Sequence, residues 1–328
     1  MKAKTTLMSL AVVLSMASLV ASAEEASTSF SWGDVTFQPR AYVGYADYSL
    51  ESGTGTFITS VGNDPPVSIS RKLSFDAQGD SKIHSTGFLG GLGATVATGH
   101  FFGDIYYQST LNETVYSSQD LTLPNNSVAS YSDVDAQHSD WAISLGYRIN
   151  DQWSVFAGYK SGKTEWDQSV RLNRPAPDSR VLQDGNFNLE FEQDGPFIGT
   201  SYSFLIGPGA LTIKAAYAYL DGTYTSDFNS VCRPPNTNCP DTPKLALQQF
   251  NLNGNSNAFS FGLSWTQSLT DNFGMSIGAN YQRYEFDTSG SGSITNFIGN
   301  QAVQTITFNN VPLTEELFTL TASLTYMF

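Results

Sequence analysis

Little in this sequence is charged. Lysine, arginine, aspartate and glutamate make up 14% of the 328 residues, where a soluble domain carries about a quarter. Bases are scarcer than acids, 16 against 30, and the formal net charge is −14. A chain this acidic lacks the basic face that phosphates require, so no nucleic-acid partner is expected. Two cysteines and three histidines, scattered along the chain, do not make a zinc centre; no metal and no cofactor is expected. Past the first residues no apolar run reaches the roughly 20 residues of a membrane helix, which excludes a helical bundle. Disorder is excluded by the aromatics, 22 Phe and 16 Tyr, which a disordered chain would lack. What remains is a weakly charged β protein rich in aromatics and glycine.

The first residues set the compartment. Lys2 and Lys4 form a short basic head, residues 7–20 are apolar, and Ala21-Ser22-Ala23 has the small-residue cleavage pattern of a Sec signal peptide. Cleavage after Ala23 leaves a domain of residues 24–328 and removes two lysines, giving (16 − 2) − 30 = −16. The chain is thus expected to be exported.

Strand and turn signals then alternate. Ten segments show the period-2 pattern of strands with two unlike faces: about 35–48, 85–97, 101–117, 138–149, 153–166, 187–206, 210–224, 256–269, 273–288 and 313–328. In the ninth, Phe273, Met275, Ile277, Ala279 and Tyr281 oppose Gly274, Ser276, Gly278 and Asn280. Four connections, at 98–100, 150–152, 207–209 and 270–272, are tight and carry the Gly, Asn, Asp or Pro that hairpins require. Five are long: about 49–84, 118–137, 167–186, 225–255 and 289–312. Short and long alternate, so an antiparallel meander collects all short turns at one end. This predicts an all-β transmembrane antiparallel up-and-down β-barrel of about ten strands, with twelve as the alternative. Its turns would be short and periplasmic, its loops long and extracellular. The bulky face would meet lipid and the small, polar face would line the lumen. Tyr45, Tyr147, Trp153, Tyr217, Trp265 and Tyr281 lie near strand ends, where amphipathic rings sit at headgroup level.

The chain ends in Phe318-Thr-Leu-Thr-Ala-Ser-Leu-Thr-Tyr326-Met-Phe328. This resembles the C-terminal signature of Gram-negative outer-membrane barrels, and hairpins such as 145–159 are similar to that superfamily. The resemblance spans nearly the whole mature chain. It implies location in the cell outer membrane amid lipid and lipopolysaccharide. It also implies assembly by the β-barrel machinery, with Tyr326 and Phe328 as its signal. It implies no activity, because the superfamily holds adhesins, channels, proteases and lipid-modifying enzymes.

No residue set carries an enzyme. The ten-stranded omptin proteases set an Asp pair against an Asp-His pair; Asp133 and Asp135 imitate the first, but segment 225–255 has no histidine to move a proton. Adjacent His138 and Ser139 point to opposite faces of a strand, and His84 and His100 stand at opposite ends of another; all three histidines read as solvated surface groups. Cys232 and Cys239, six residues apart in one long loop of an exported protein, are expected to form a disulfide. Strand parity places Arg40, Asp104, Arg148, Lys160 and Lys214 in the lumen, with Asp140, Glu190, Glu192 and Glu315. Lys160 falls roughly opposite Glu192 on a neighbouring strand, and Asp104 and Arg148 lie near the turn ends of the third and fourth segments. Such charges read as a paired network filling a narrow bore, or as a constriction with an acidic outer mouth. The resulting expectation is a non-enzymatic surface protein whose loops bind an extracellular ligand or host surface, or shield the cell. A small, weakly cation-selective channel is the alternative and an outer-membrane hydrolase a remote one.

Overall fold

The structure, a computed structural model, describes residues 35–61, 66–72, 82–110, 113–115, 119–122, 128–173, 181–232, 244–296 and 304–327. Ala21, Ala23, Cys239 and Phe328 lie outside the described residues. The elements are strands: β1 (Val35–Ser52), β2 (Thr54–Val61), β3 (Val67–Lys72), β4 (Lys82–Thr98), β5 (Phe101–Thr110), β6 (Glu113–Val115), β7 (Gln119–Thr122), β8 (Val128–Arg148), β9 (Trp153–Asn173), β10 (Val181–Ile206), β11 (Gly209–Cys232), β12 (Lys244–Ser268), β13 (Phe273–Asn296) and β14 (Gln304–Tyr326). Hydrogen-bonded neighbours follow β1-β4-β5-β8-β9-β10-β11-β12-β13-β14-β2-β3, with β6 and β7 on β8, and β1 also pairs with β14. That last pairing closes the sheet into a ring and leaves no open edge along the seam.

The path holds twelve strands rather than ten. The additional pair, β2 and β3, comes from segment 49–84, expected to be a loop. At Gly53, whose N–H donates to Pro312 O at 2.7 Å, the chain leaves β1 and goes on as β2 along the outer part of β14. The other long connections are also largely strand. β10 runs for 26 residues and β12 for 25, whereas about 9–11 suffice to cross a bilayer. At about 3.3 Å per residue, the longest strands extend well past any hydrocarbon layer.

Side chains of the tight connections shape the turns. Asn150 Oδ1 accepts from the N–H of Gln152 at 2.9 Å and of Trp153 at 2.7 Å. Thr270 Oγ1 accepts from Phe273 N–H at 3.0 Å. Gly99 and Gly207 take φ of 55° and 59°, left-handed values that favour glycine.

On the half of the wall nearest these turns, the large apolar side chains point outward and are exposed, among them Leu92, Phe101, Ile143, Leu145, Ile198, Leu205, Phe261 and Leu324. Exposed rings flank them on both sides: Tyr147, Trp153, Tyr202 and Phe273 near the turns, and Tyr45, Tyr107, Trp141, Tyr159, Tyr217 and Tyr281 further out. A continuous apolar girdle between two aromatic rims matches a lipid-facing belt. Beyond the outer rim the pattern reverses. Outward residues become polar, and bulky residues turn inward.

The topology predicts which sites an impermeant reagent reaches. Single cysteines at Asn125, Asp178 and Asn296 should label on intact cells, and those at Asp151 and Asp271 only after the cells are opened; the opposite pattern would invert the orientation.

Candidate functional site

Three tiers of inward side chains fill the ring. Nearest the turns the tier is built from small residues and cross-strand rings. Tyr42 lies over Gly91 and Phe102 over Gly146, so close that a Cβ on either glycine would meet the ring. These pairs fill the space that the glycines leave on the inner face. Here Arg40 makes a two-pronged contact with Asp104, Nη1 to Oδ1 at 2.7 Å and Nη2 to Oδ2 at 2.9 Å, and Nη1 also donates to Thr95 Oγ1 at 2.8 Å. Gly93, opposite Arg40, gives the guanidinium room. Lys214 on β11 lies within electrostatic reach of both partners. Arg148 is not with Asp104: it sits exposed at the rim, where its carbonyl meets His100 Nδ1 at 2.9 Å.

The middle tier is polar and buried. Asp140 on β8 accepts from Gln108 Nε2 at 2.8 Å. Its Oδ2 lies 3.4 Å from His138 Nε2 and 3.9 Å from Lys160 Nζ. Lys160 donates to Gln282 Oε1 and, at 2.6 Å, to Tyr284 OH, with its ammonium 5.0 Å from the Tyr284 ring centroid. His138 Nδ1 is 2.8 Å from Thr164 Oγ1 and 3.9 Å from Glu315 Oε1, and the imidazole stacks on Tyr48 at 5.0 Å. The Asp140, Glu315, His138 and Lys160 side chains are 0%, 1%, 5% and 8% exposed. Six strands of the ring thus deliver side chains to one small volume. Sequence reasoning placed His138 on the surface; its parity with Asp140, two residues on, was the signal that would have put it inside.

The outer tier is apolar. Phe191 and Phe286 meet edge to face at 5.0 Å, and Phe308 packs against Phe250 at 4.9 Å and Phe57 at 4.8 Å. Leu50, Leu220, Leu252 and Leu313 complete a plug in which each of these leucines is 0% exposed. At roughly 1.5–3 kcal/mol per buried side chain of this size, it is a true core.

Glu190 and Glu192 were expected in the lumen. They are on the outer wall, because Leu189, Phe191 and Gln193 between them face inward and are buried. Lys163, not Lys160, is their partner, with Nζ 2.9 Å from Glu190 and from Glu165 and 3.6 Å from Glu192. Hydrogen bonds to Glu165 and then Glu190 push the Lys163 pKa up. On the same wall, partial burial and then the neighbouring Glu165 and Asp135 charges raise the Asp167 pKa. His84, also outside, is 2.9 Å from Asp47. Among the described residues no group of three or more His, Cys, Asp or Glu could hold a metal ion.

Neither a protein-family profile nor a curated sequence matches the chain. Solved structures do. The outer-membrane protease OmpT of Escherichia coli superposes with a TM-score of 0.54 at 11% identity, covering 92% of this chain and all of OmpT. In fold, the chain is a closed antiparallel β-barrel like that of OmpT. Weaker likenesses are to a Pseudomonas aeruginosa FadL homologue (TM-score 0.33, 10% identity, 89% and 90% covered) and to the translocator domain of NalP from Neisseria meningitidis (0.34, 10%, 98% and 95%). At this identity the likeness concerns this barrel's fold and none of its side chains.

The middle tier makes a stability prediction. Lys160→Met leaves Asp140 buried without its nearest fixed cation and should cost about 3–5 kcal/mol in urea unfolding of the detergent-folded barrel. Adding Asp140→Asn should recover part of the loss; equal effects of single and double variants would show that the two charges do not interact.

Proposed function

We infer that this barrel works at the cell surface through its outer wall, as a binding or shielding protein, and that its lumen does not conduct. The observation that carries the inference is the apolar plug: Phe191, Phe286, Phe308 and their leucine neighbours fill the bore beyond the lipid-facing belt, where a diffusion channel would need a polar path. The inferred orientation puts the short turns in the periplasm and the extended strands outside. The chain reaches the outer membrane after cleavage behind Ala23, and the assembly machinery reads Tyr326 and Phe328 at its end. Lipid and lipopolysaccharide then surround the belt.

The exposed wall is acidic. Glu165, Asp167, Glu190, Glu192, Asp194 and Asp221 stand around Lys163 on β9 to β11, which favours basic partners and discourages polyanions. Enzymatic hydrolysis has no support from the buried tier. OmpT is a protease, but here the imidazole of His138 lies beneath the plug, out of reach of a peptide.

Purified protein in a planar bilayer should show no large steady conductance, and Phe191→Ala with Phe286→Ala, which leaves the charge network beneath in place, should not by itself open one. Stable, cation-preferring openings of the unaltered protein would replace this inference with the channel. Adherence of expressing cells that falls when Glu190 and Glu192 are neutralised would support binding through the wall. The Cys232–Cys239 disulfide is also a proposal: Cys232 ends β11, and both thiols should resist alkylation until reduced. Full alkylation of the native protein would dismiss the bond.

A further inference from the structure

The middle tier does not balance its charges. Asp140 and Glu315 bring two carboxylates and Lys160 one ammonium, all nearly inaccessible. Buried charge left uncompensated is costly. The titratable groups facing His138 come from most of the surrounding wall: Tyr48 on β1, Tyr106 on β5, Asp140 on β8, Lys160 on β9, Tyr284 on β13 and Glu315 on β14. β10 adds the neutral Gln193. Among these only His138 and Glu315 are placed to take up the missing positive charge or cancel the excess negative one.

Their geometry fits that role. The imidazole stands between the carboxylates, Nε2 toward Asp140 at 3.4 Å and Nδ1 toward Glu315 at 3.9 Å. A neutral ring donates on one side only, whereas an imidazolium donates on both. Neither Glu315 oxygen makes a well-formed hydrogen bond, although Tyr48 and Gln193 stand beside the carboxylate, and a buried carboxylate so poorly satisfied is costly in its charged form. We propose that this cluster is a proton-binding latch: it holds one proton, shared between His138 and Glu315, and that proton keeps the plug above it closed.

Latch and plug are mechanically continuous. Tyr48 and Leu50, Tyr284 and Phe286, and Glu315 and Leu313 occupy successive inward positions on the same three strands. Loss of the proton leaves an unbalanced carboxylate directly beneath the aromatic core. A route for exchange lies beside His138. The β4–β5 ladder ends at the pair Leu89–Thr110, and a cavity of about 10 Å³ lies there between Ser85 and Gly87 on one side and Thr110 on the other, reaching Tyr48 and His138. That is about the space one water occupies.

The sign follows from linkage. The folded barrel holds a proton that the unfolded chain releases, so the latch stabilises at lower pH and its contribution is lost as pH rises. The full-length protein, folded in detergent, is unfolded in urea from mildly acidic to alkaline pH. The unfolding constant should rise about tenfold per pH unit from the pH at which the unfolded chain gives up the proton to the pH at which the folded site empties, and level off beyond it, and Glu315→Gln should abolish that slope. An unaltered protein with no slope, or a Glu315→Gln variant that keeps it, overturns the latch. Should Glu315→Gln fail to fold, spectroscopy on the unaltered barrel decides. At neutral pH either infrared spectra show a buried protonated carboxyl or nitrogen NMR shows a His138 imidazolium, lost in alkali; absence of both overturns the proposal. Neither readout depends on whether the barrel conducts.

Discussion

One wall must face hydrocarbon over part of its height and water over the rest, with every backbone N–H and C=O kept paired throughout. Strands satisfy this by exchanging the roles of their two faces at the boundary. On β13 the large apolar residues are Phe273, Ile277 and Tyr281 below and Tyr284 and Phe286 above, so the bulky set moves from odd to even positions. β14 exchanges between Leu317 and Phe318, and β1 between Tyr45 and Tyr48. Below that level the barrel is inside out relative to a soluble protein; above it, an ordinary hydrophobic core resumes.

The polar tier sits where the exchange happens. Bulky residues have left the inner face below and have not yet filled it above, so the space falls to Asp140, Lys160, His138 and Glu315, linked to neutral partners such as Gln108, Gln282 and Thr164. Closer to the turns the bore is shared by the Arg40–Asp104 fork and by rings laid on glycines. The lumen is therefore sealed by two different chemistries in series, a charge network and a dry core, and a solute would have to disrupt both.

Much of the architecture was legible in the sequence. The alternation of short and long connections and the period-2 segments both report local backbone geometry, which the sequence encodes directly. The outward extent of the strands was not, because polar strands above a membrane carry the same Ser, Asn, Gly and Thr as loops. Segment 49–84 illustrates this: only Phe57 and Ile58 hint that β2 continues the wall. Parity assigned Arg40, Asp104, Asp140, Lys160, Lys214 and Glu315 to the inner face. It failed for Glu190 and Glu192, where counting assumed that bulky residues always face out. Phe187, Leu189 and Phe191 are bulky and inward, and an exchange of faces within β10 would have been visible had hydrophobic parity been followed past Ile198. The pairing of Arg40 with Asp104 and of His138 with Glu315 joins strands far apart in sequence and left no trace in it.

The seam between β1 and β14 has a kinetic side. Arg40 is hydrogen-bonded across from Thr325 and Ser52 from Leu313, so the ring closes only when the two ends of the chain meet, the pairing of highest sequence separation in the molecule. Such contacts pay their chain entropy last and slow folding. The same closure delays escape: a cylinder has no terminal strand to peel away, and the first step of unfolding must open a full ladder at once. Residence in the folded state is then governed by a barrier more than by an equilibrium.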